Sequence, residues 1–446
     1  MALAAALVLC VSTVPGRAED ASDPSDSDAW VPHFTSRLRL ESALGTDGRW
    51  QKVESVYDPK LEVDIGSDLE LTAIGRARAD ALDEMEPGRP NQSEVSYLTR
   101  RALIGDQVDL GLRELYLQVD LDRAVLTVGK QQTVWGQADG LKVLDVVNPQ
   151  NFREFILPQF SDSRIPLWSA NLEVPIGDLT FTGVWVLDQT YHELPEPGAV
   201  FAFTSPRFVP ALPAGVPTVI QSTDRPRRVI ADSDAGFRMA TFWEGWDLTF
   251  NYLYHYDDLP VFTRRLSLPG GVPTLIVTPE YRRTHLVGGT FSNAFGDLTL
   301  RGEVGSFLGK SFTTLDPADA DGVQRAEELS YVLGLDWYGL EETIVSVQFF
   351  QSQVLGSVPG LLRDHTQTNI TLLLRHEMLN DTLTLETIWL VDPRLGDGLV
   401  RPKISYDLND QTTIWMGLDL FYGGDGGLFG QFDENDRVVL GLEWTF

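Results

Sequence analysis

The chain has 446 residues and a formal net charge of −29, with 35 Lys and Arg against 64 Asp and Glu. So acidic a balance excludes nucleic-acid binding through a basic patch. The only cysteine is Cys10, which excludes disulfide frameworks and thiolate metal sites from the rest of the chain.

The first eighteen residues have the pattern of a secretory signal peptide. An apolar run from Ala2 to Val14 precedes Pro15-Gly16-Arg17-Ala18, whose small residues suit cleavage before Glu19. Because Arg17 is the only charged residue of this segment, its removal moves the net charge from −29 to −30. The remaining chain has no apolar run long enough for a transmembrane helix. We predict a signal peptide at 1–18, a periplasmic segment at 19–33 and a single domain at 34–446.

From residue 36 onwards, segments of about ten residues alternate apolar and polar side chains, as strands with two different faces do. In the segment 68–80 one face carries Leu69, Leu71, Ala73, Gly75 and Ala77. The other face, polar enough for a wet interior, carries Glu70, Thr72, Arg76, Arg78 and Asp80. The clearest segments are 36–44, 60–66, 68–80, 178–187, 246–256, 297–307, 343–351 and 382–391.

Short turns and long loops alternate between these segments. The short turns are rich in Gly, Asn and Asp, which supply the positive φ angles of tight hairpins. They lie at 66–68, 121–123, 176–178, 244–246, 294–296, 339–341, 379–381 and 408–410. Long loops are expected at 45–58, 81–110, 135–165, 190–231, 258–282, 308–327, 354–366, 392–399 and 423–435. This alternation predicts an all-β, antiparallel, up-and-down barrel in the lipid of the bacterial outer membrane, with short turns in the periplasm. Eighteen strands are predicted, and sixteen stays open.

Charged side chains in the strands fall mostly on the face opposite the apolar one. Lipid-facing groups are Leu248, Phe250, Tyr252 and Tyr254 on one strand and Leu383, Leu385 and Trp389 on another. The predicted lumen-facing charges are Arg37, Arg39, Glu62, Asp64, Glu70, Arg76, Arg78, Glu114, Arg301 and Glu303. Strict alternation puts Arg113 on the lipid side with Leu115 and Leu117. We expect it at the external rim, where long cationic side chains extend towards water.

The segment 112–154 departs from the plain barrel pattern after Trp135. Its loop is too apolar to remain in water, since it carries Leu141, Val143, Leu144, Val146 and Val147. We therefore expect the loop at 135–165 to fold inwards against the barrel lumen. Asn148-Pro149 is a favourable helix start, and a short helix is predicted from Pro149 to about Leu157, before Pro158.

The same segment carries a family resemblance. Residues 129–154 read GKQxxVWGxADGxxVxDVVNPxxxRE, a string that resembles domain-of-unknown-function family 1302. That family comprises predicted outer-membrane barrels of Gram-negative bacteria, often encoded near exporters of the resistance-nodulation-division class. The resemblance implies passage of apolar or amphipathic small molecules, with periplasmic exporter components as partners.

Eight residues of this segment are candidates for a pore constriction: Lys130, Gln131, Trp135, Asp139, Asp145, Asn148, Arg153 and Glu154. Charges of both signs across a narrow pore would set its selectivity. The alternative is structural: Trp135 marks where a strand meets the inner wall, while Asp139 and Asp145 cap turns. Both interpretations stay open at this stage.

Enzyme motifs of the metalloprotease, P-loop and nucleophile-elbow types are absent from the sequence. The six histidines lack metal-ligand spacing: His33, His192, His255, His285, His365 and His376. His285 and Ser292 share a predicted strand, but seven residues at about 3.4 Å each keep them roughly 20 Å apart. We predict no enzyme, no metal and no cofactor. A barrel-embedded hydrolase with a partner residue on a neighbouring strand stays open.

The last eleven residues form an alternating strand that ends the chain on an aromatic residue. Its apolar face carries Val438, Leu440, Leu442, Trp444 and Phe446. We expect this strand to pair with 36–44 and close the barrel. Phe446 is then the expected signal for the barrel-assembly machinery.

Two functions follow from this pattern. The leading hypothesis is a passive or gated channel for small amphipathic or hydrophobic molecules, with 135–165 as its constriction. The second is a non-conducting barrel that serves as the outer-membrane component of a lipid or hydrophobe export route. The proline-rich loop 190–231 is either a lid or a surface shield.

Overall fold

The computed structural model describes residues 30–137, 141–209 and 215–446. In this part of the chain, eighteen antiparallel strands pair in chain order, and the last pairs with the first to close a barrel. The prediction of eighteen strands is confirmed, and sixteen is excluded. The signal peptide at 1–18, most of the segment 19–33 and the candidate Asp139 lie outside the described residues.

Twenty-two strands occur among the described residues. In chain order they are β1 (Trp30–Gly45), β2 (Trp50–Ile65), β3 (Leu69–Asp80), β4 (Ala102–Ile104), β5 (Val108–Asp120), β6 (Val125–Gln131), β7 (Leu167–Ile176), β8 (Leu179–Val186), β9 (Thr218–Ile220), β10 (Asp234–Trp243), β11 (Trp246–Tyr256), β12 (Val261–Ser267), β13 (Thr274–Glu280), β14 (Arg283–Phe295), β15 (Leu298–Thr313), β16 (Val323–Leu340), β17 (Thr343–Leu355), β18 (Thr366–Met378), β19 (Leu383–Asp392), β20 (Asp397–Asn409), β21 (Thr412–Tyr422) and β22 (Arg437–Thr445).

Four of these strands lie outside the barrel ring. β4 pairs only with the start of β5, while β9, β12 and β13 form a separate sheet within the external loops. In the described part of the chain, the helical elements are a single turn, α1 (Phe160–Ser163), and two 3-10 turns at Pro269–Gly271 and Gly430–Asn435. A search of the described residues finds no helix with the length and apolarity needed to cross a membrane.

The short turns lie at one end of the barrel, the end that is expected in the periplasm. All eight predicted short turns connect consecutive barrel strands, at 66–68, 121–124, 177–178, 244–245, 296–297, 341–342, 379–382 and 410–411. Two of the nine predicted long loops are wrong, because 45–58 contains only the turn 46–49 and 392–399 only the turn 393–396. Asp397, a residue typical of loops, is here a buried strand residue whose carboxylate accepts the backbone N–H groups of Phe429 and Gly430.

β2 continues through Pro59, where the sequence pattern suggests that a strand ends. Its first half resembles a polar loop because Lys52 and Glu54 face the lumen. Pro59 pairs with β1, while the ladder to β3 is interrupted between Tyr57 and Lys60. The missing N–H of Pro59 is therefore accommodated by a local break on one side of the strand.

A β-bulge turns Arg113 into the lumen, so the position predicted at the external rim is wrong. The register between β3 and β5 shifts by one residue beside Ile74 and Gly75, and Arg113 is the extra residue. Strict counting of faces fails across a bulge, because the extra residue breaks the two-residue period. The Arg113 guanidinium donates a hydrogen bond to the carbonyl of Ser161 in the inward loop.

Apolar and aromatic side chains cover the outer wall. Four of these side chains are between 37% and 42% exposed, although each lies on a strand that is paired on both sides: Phe250, Tyr254, Leu385 and Trp389. A closed ring has no free edge, and an apolar outer band on such a ring contacts lipid. The chain is therefore an outer-membrane β-barrel.

The loop between β6 and β7 (132–166) folds into the lumen over its described residues, 132–137 and 141–166. Its first limb packs Trp135, Val143, Leu144 and Val147 against the inner wall. The helix predicted from Pro149 to about Leu157 is wrong.

The two limbs of this loop hydrogen-bond to each other instead of forming that helix. The N–H of Asn151 donates to the carbonyl of Ser163 at 2.7 Å, and that of Ile165 to Pro149 at 2.9 Å. Asn148 does not cap a helix, because its side chain accepts the N–H of Thr133 at 2.6 Å and donates to Ile165 at 2.9 Å.

Phe446 extends the closing ladder by one residue. Its backbone exchanges two hydrogen bonds with Ser36, at 2.7 and 2.9 Å, and its ring stacks on Trp444 with centroids 4.2 Å apart. We expect deletion of Phe446 to lower the yield of folded barrel several-fold, measured by heat-modifiable migration in gel electrophoresis. Phe446→Ala keeps both backbone bonds and isolates the contribution of the ring. Normal insertion of the deletion variant would contradict an assembly role for this residue.

Candidate functional site

A cavity of about 360 Å³ lies inside the barrel, between the inward loop and one side of the wall. Strands β1–β3 form one flank of this cavity and β19–β22 the other, while the loop contributes residues between 151 and 163. The two flanks differ chemically. Charged side chains dominate the flank at β1–β3, whereas the flank at β19–β22 combines apolar side chains with the charged residues Glu386, Arg401, Lys403, Asp419 and Arg437.

Asp162 of α1 ties the loop to the charged flank. Its carboxylate accepts hydrogen bonds from Arg37 at 2.7 Å, Arg76 at 2.9 Å and Arg39 at 3.1 Å. Burial alone would raise the pKa of the Asp162 carboxyl, but these three guanidinium groups hold it well below its usual range. Asp58 of β2 also pairs with Arg37 and with Arg76, at 2.6 and 2.7 Å.

Glu154 makes the second attachment of the loop, at the external side of the cavity. Its carboxylate lies 2.6 Å from Lys52 Nζ, 3.2 Å from Arg153 Nη2 and 3.3 Å from Arg437 Nη2. Burial would raise the pKa of this carboxyl, but Lys52, Arg153 and Arg437 hold it well below its usual range. Arg153 in turn contacts Glu54 at 2.6 Å. Both attachments are therefore ionised at neutral pH.

The opposite side of the cavity carries an apolar patch, which we call the apolar flank. It is lined by Ile156, Leu157, Ile388, Leu390, Leu399 and Val439. The loop supplies the first two of these side chains and the wall the other four, so the inward loop completes an apolar surface that begins on the wall.

Trp415 lies where the charged and apolar flanks meet. Its indole covers Gly441 of the closing strand so closely that a Cβ there would lie 2.0 Å from the ring. Arg39 Cζ and Lys403 Nζ each lie 5.3 Å from the ring centroid. Lys403 lines the cavity beside Glu386, its direct partner on β19. Within the described residues, however, no carboxylate lies within 4.0 Å of its ammonium. Its ammonium is therefore available to a ligand.

External loops pack aromatic side chains above the inward loop. Phe155 of the inward loop contacts Phe203, Phe429 and Phe432, with ring centroids 5.0–6.3 Å apart. Phe201 is fully buried in the same cluster. The part of the proline-rich loop around Phe201 and Phe203 therefore packs into the barrel mouth.

Two of the eight sequence candidates, Arg153 and Glu154, line the cavity. Trp135 is buried against the inner wall, and Asn148 braces the two limbs of the loop. Asp145 pairs with Lys142 at 2.7 Å and with Arg164 at 2.8 Å within the loop.

The two candidates on β6 belong to the wall. Gln131 donates to the backbone carbonyls of Thr127 and Ser169 and accepts from Asn171 at 3.1 Å. Lys130 Nζ donates to the carbonyl of Leu112 at 2.7 Å. Neither lines the cavity between the loop and β1–β3.

The charges predicted to face the lumen divide into three groups. Those that line the cavity are Arg37, Arg39, Arg76 and Arg78. Those that hold the far side of the loop are Arg301 and Glu303, where Glu303 accepts the N–H of Leu144 at 3.1 Å and Arg301 donates to the carbonyl of Gln137. Those outside the cavity lining are Glu62, Asp64, Glu70 and Glu114.

The sequence pattern does not single out Trp415, Lys403 or Asp162. By strict alternation, Trp415 and Lys403 both fall on the lumen-facing side of their strands. A tryptophan on the polar face of a strand is unusual, and this feature of the sequence could have identified the site. Asp162 follows Pro158 in a segment without periodicity, so its position depends on how the loop folds.

His285 and Ser292 do not form a catalytic pair. His285 lies outside the barrel against Tyr254, with ring centroids 4.6 Å apart, and bonds the Tyr252 hydroxyl at 2.9 Å. Ser292 is seven residues away on the same strand, and an odd separation places it on the inner face.

Comparisons with known proteins agree with this architecture. The family model described as "Protein of unknown function (DUF1302)" matches residues 50–385.

Among solved structures, Pseudomonas aeruginosa OccK5 (OpdH) is similar at 14% identity and a TM-score of 0.50, covering 93% of this chain and 98% of that chain. Acinetobacter baumannii OccAB1 is similar at 9% identity and a TM-score of 0.52, covering 94% and 96%. The outer membrane protein OpdK from Pseudomonas aeruginosa is similar at 9% identity and a TM-score of 0.48, covering 93% and 99%. None of the curated proteins compared matches the chain. At these identities the likeness concerns the fold.

Proposed function

Since this chain belongs to the DUF1302 family and folds as a closed outer-membrane barrel, we propose that it is a channel for small amphipathic molecules. In this proposal the inward loop 132–166 sets the narrowest part of the pore.

The observation that carries the proposal is the two-sided cavity between this loop and the wall. A molecule with a polar head and an apolar body would place its head among Arg37, Arg39 and Lys403 and its body against Leu390 and Leu399. A volume of about 360 Å³ lies at the lower end of the range for small-molecule sites. The favoured substrate is therefore a short amphiphile rather than a long-chain lipid.

The size of the barrel supports a conducting role. Barrels of sixteen to eighteen strands leave an aqueous channel unless something fills them. Here the filling comes from the inward loop, whose two attachments at Glu154 and Asp162 leave the cavity beside it open.

Single-channel recording in planar bilayers tests this proposal. We expect the purified protein to conduct ions in discrete steps. A short amphiphile such as octanoate is expected to block this current by binding in the cavity. A barrel that never conducts, with or without its loop, would refute the channel and favour a non-conducting export component.

Lys403 provides a sharper measurement on the same assay. Lys403→Met removes the unpaired ammonium beside Trp415, and a charged hydrogen bond contributes about 1.5 kcal/mol. The octanoate concentration for half-block is therefore expected to rise about tenfold, while block by neutral octanol changes little.

Lys60→Met is the matched control for Lys403→Met. Lys60 is a strand lysine paired with Glu62 at 2.7 Å, outside the cavity lining. An equal effect of the two substitutions would contradict the assignment of the polar head to Lys403.

A further inference from the structure

One stretch of the barrel wall is not closed by backbone hydrogen bonds. The β5–β6 ladder runs from Asp120↔Val125 to Leu115↔Lys130 and stops there. β4 pairs with β5 only at Val108 to Leu110. Within the described part of the chain, residues 111–114 of β5 thus have no strand partner on this side. We call the region between residues 111–114 and 131–134 the seam.

The seam lies at the level of the membrane. Leu112 is eight residues from the periplasmic end of β5 at Asp120. A rise of about 3.4 Å per residue and a strand tilt of roughly 40° place it about 20 Å above that end, within the apolar band. The outer surface around it is apolar and open, since Leu98, Leu112 and Val134 are 58%, 39% and 44% exposed.

Side chains close the seam where backbone bonds are missing. Lys130 Nζ donates to the Leu112 carbonyl at 2.7 Å, and Gln132 Nε2 donates to Glu114 Oε1 at 2.8 Å. Unpaired backbone groups are costly in lipid, and every strand of a stable barrel is normally bonded along its length. Side-chain bonds can be exchanged by rotation about single bonds, without unzipping the neighbouring ladder.

Lys130 is unusual in its surroundings. It is only 3% exposed, and its Cα partners on the neighbouring strands are Leu115 and Trp168. No carboxylate lies within 4.0 Å of its ammonium in the described residues. A buried charged group on a membrane wall is expensive and is expected to have a function.

On the lumen side, the seam is separated from the cavity by the single turn of α1. Phe160, Asp162 and Ser163 line the cavity. The carbonyl of Ser161, between them, accepts from Arg113 and from Gln132 at the seam. A movement of α1 would therefore connect the cavity to the seam directly.

From these contacts we propose that the seam is a lateral exit through which apolar and amphipathic molecules pass from the lumen into the bilayer. The proposal rests on the proposed channel function. Lys130 and the Gln132–Glu114 pair hold the exit shut, and α1 separates it from the cavity.

Cross-linking the seam tests the exit. In a Cys10→Ser background, Glu114→Cys and Gln132→Cys are joined with a short bifunctional thiol reagent. The matched control joins Gln118→Cys to Thr127→Cys, which are direct partners in the intact part of the same ladder. Two quantities are measured: ion conductance of the purified protein, and uptake by intact cells of N-phenyl-1-naphthylamine, an apolar dye that fluoresces in the bilayer.

The linked seam is expected to slow channel-dependent dye uptake at least about fivefold and to leave ion conductance within about twofold, while the control linkage changes neither. Lys130→Met is expected to act in the opposite direction and accelerate dye uptake, with heat-modifiable migration in gel electrophoresis as the check that the barrel is folded. Unchanged dye uptake with persistent conductance would overturn the exit but not the channel. Loss of both on linking would also overturn it, because the linkage would then be closing the lumen itself. Absence of conductance in every form, including the unlinked protein, would instead refute the channel.

Discussion

Replacing residues 132–166 with an Asn-Gly turn is expected to raise the single-channel conductance several-fold. Gln131 and Leu167 are direct partners across β6 and β7, so a two-residue hairpin turn joins them without changing the register. The replacement removes the loop side of the cavity together with both charged attachments. An eighteen-stranded barrel without such a loop leaves a wide aqueous channel. Planar-bilayer recording before and after the replacement measures the change.

The matched control shortens an external loop that does not enter the cavity. Thr313 and Val323 are likewise direct strand partners, and replacing 314–322 with the same Asn-Gly turn should leave the conductance unchanged. If both replacements give the wild-type value, the inward loop does not set the narrowest point. The aromatic cluster around Phe201 and Phe432 would then be the remaining candidate.

The fold was predictable because lipid imposes a strict pattern on a closed sheet. Outward apolar residues and short turns with Gly, Asn or Asp recur at each hairpin, so strand order and number follow from counting. Counting fails where the backbone departs from regular pairing. Pro59 and the bulge at Arg113 are two such places, and they lie on strands that flank the same strand, β3. A single residue of this kind moves the side chains that follow it to the other face of the sheet, or makes half of a strand resemble a loop in the sequence.

The site was less predictable than the wall. Arg153 and Glu154 can be found as charges in an apolar loop, but Lys52 and Arg437, the partners of Glu154, are 102 and 283 residues away along the chain. No periodicity relates such distant positions. Lys130 lies in the same motif and yet belongs to the wall, because a sequence motif does not show where a strand ends and an inward loop begins.

Glu154→Gln is expected to release the loop from its external attachment. The carboxylate is 4% exposed and lies among Lys52, Arg153 and Arg437. Removing one partner from a buried ion cluster leaves uncompensated charge and costs about 3–5 kcal/mol. Glutamine keeps the size of the side chain, so the loss reports charge rather than a cavity. We expect a lower urea midpoint of unfolding, faster proteolysis within 141–158 and noisier open-channel current.

Glu377→Gln provides the control for the loss of one carboxylate. Glu377 pairs with Arg375 at 2.6 Å, but both side chains are substantially exposed, and such pairs contribute at most about 1 kcal/mol. The combination of Lys52→Met with Glu154→Gln should cost less than the two single changes together, because each removes a partner of the other. Additive costs, or equal effects of Glu154→Gln and Glu377→Gln, would mean that water screens this cluster and that the loop is held by its other contacts, with the arginines around Asp162 and with Arg301 and Glu303 on the far side. The loop's position, and with it the contribution of Ile156 and Leu157 to the apolar flank, would then depend on those contacts rather than on Glu154.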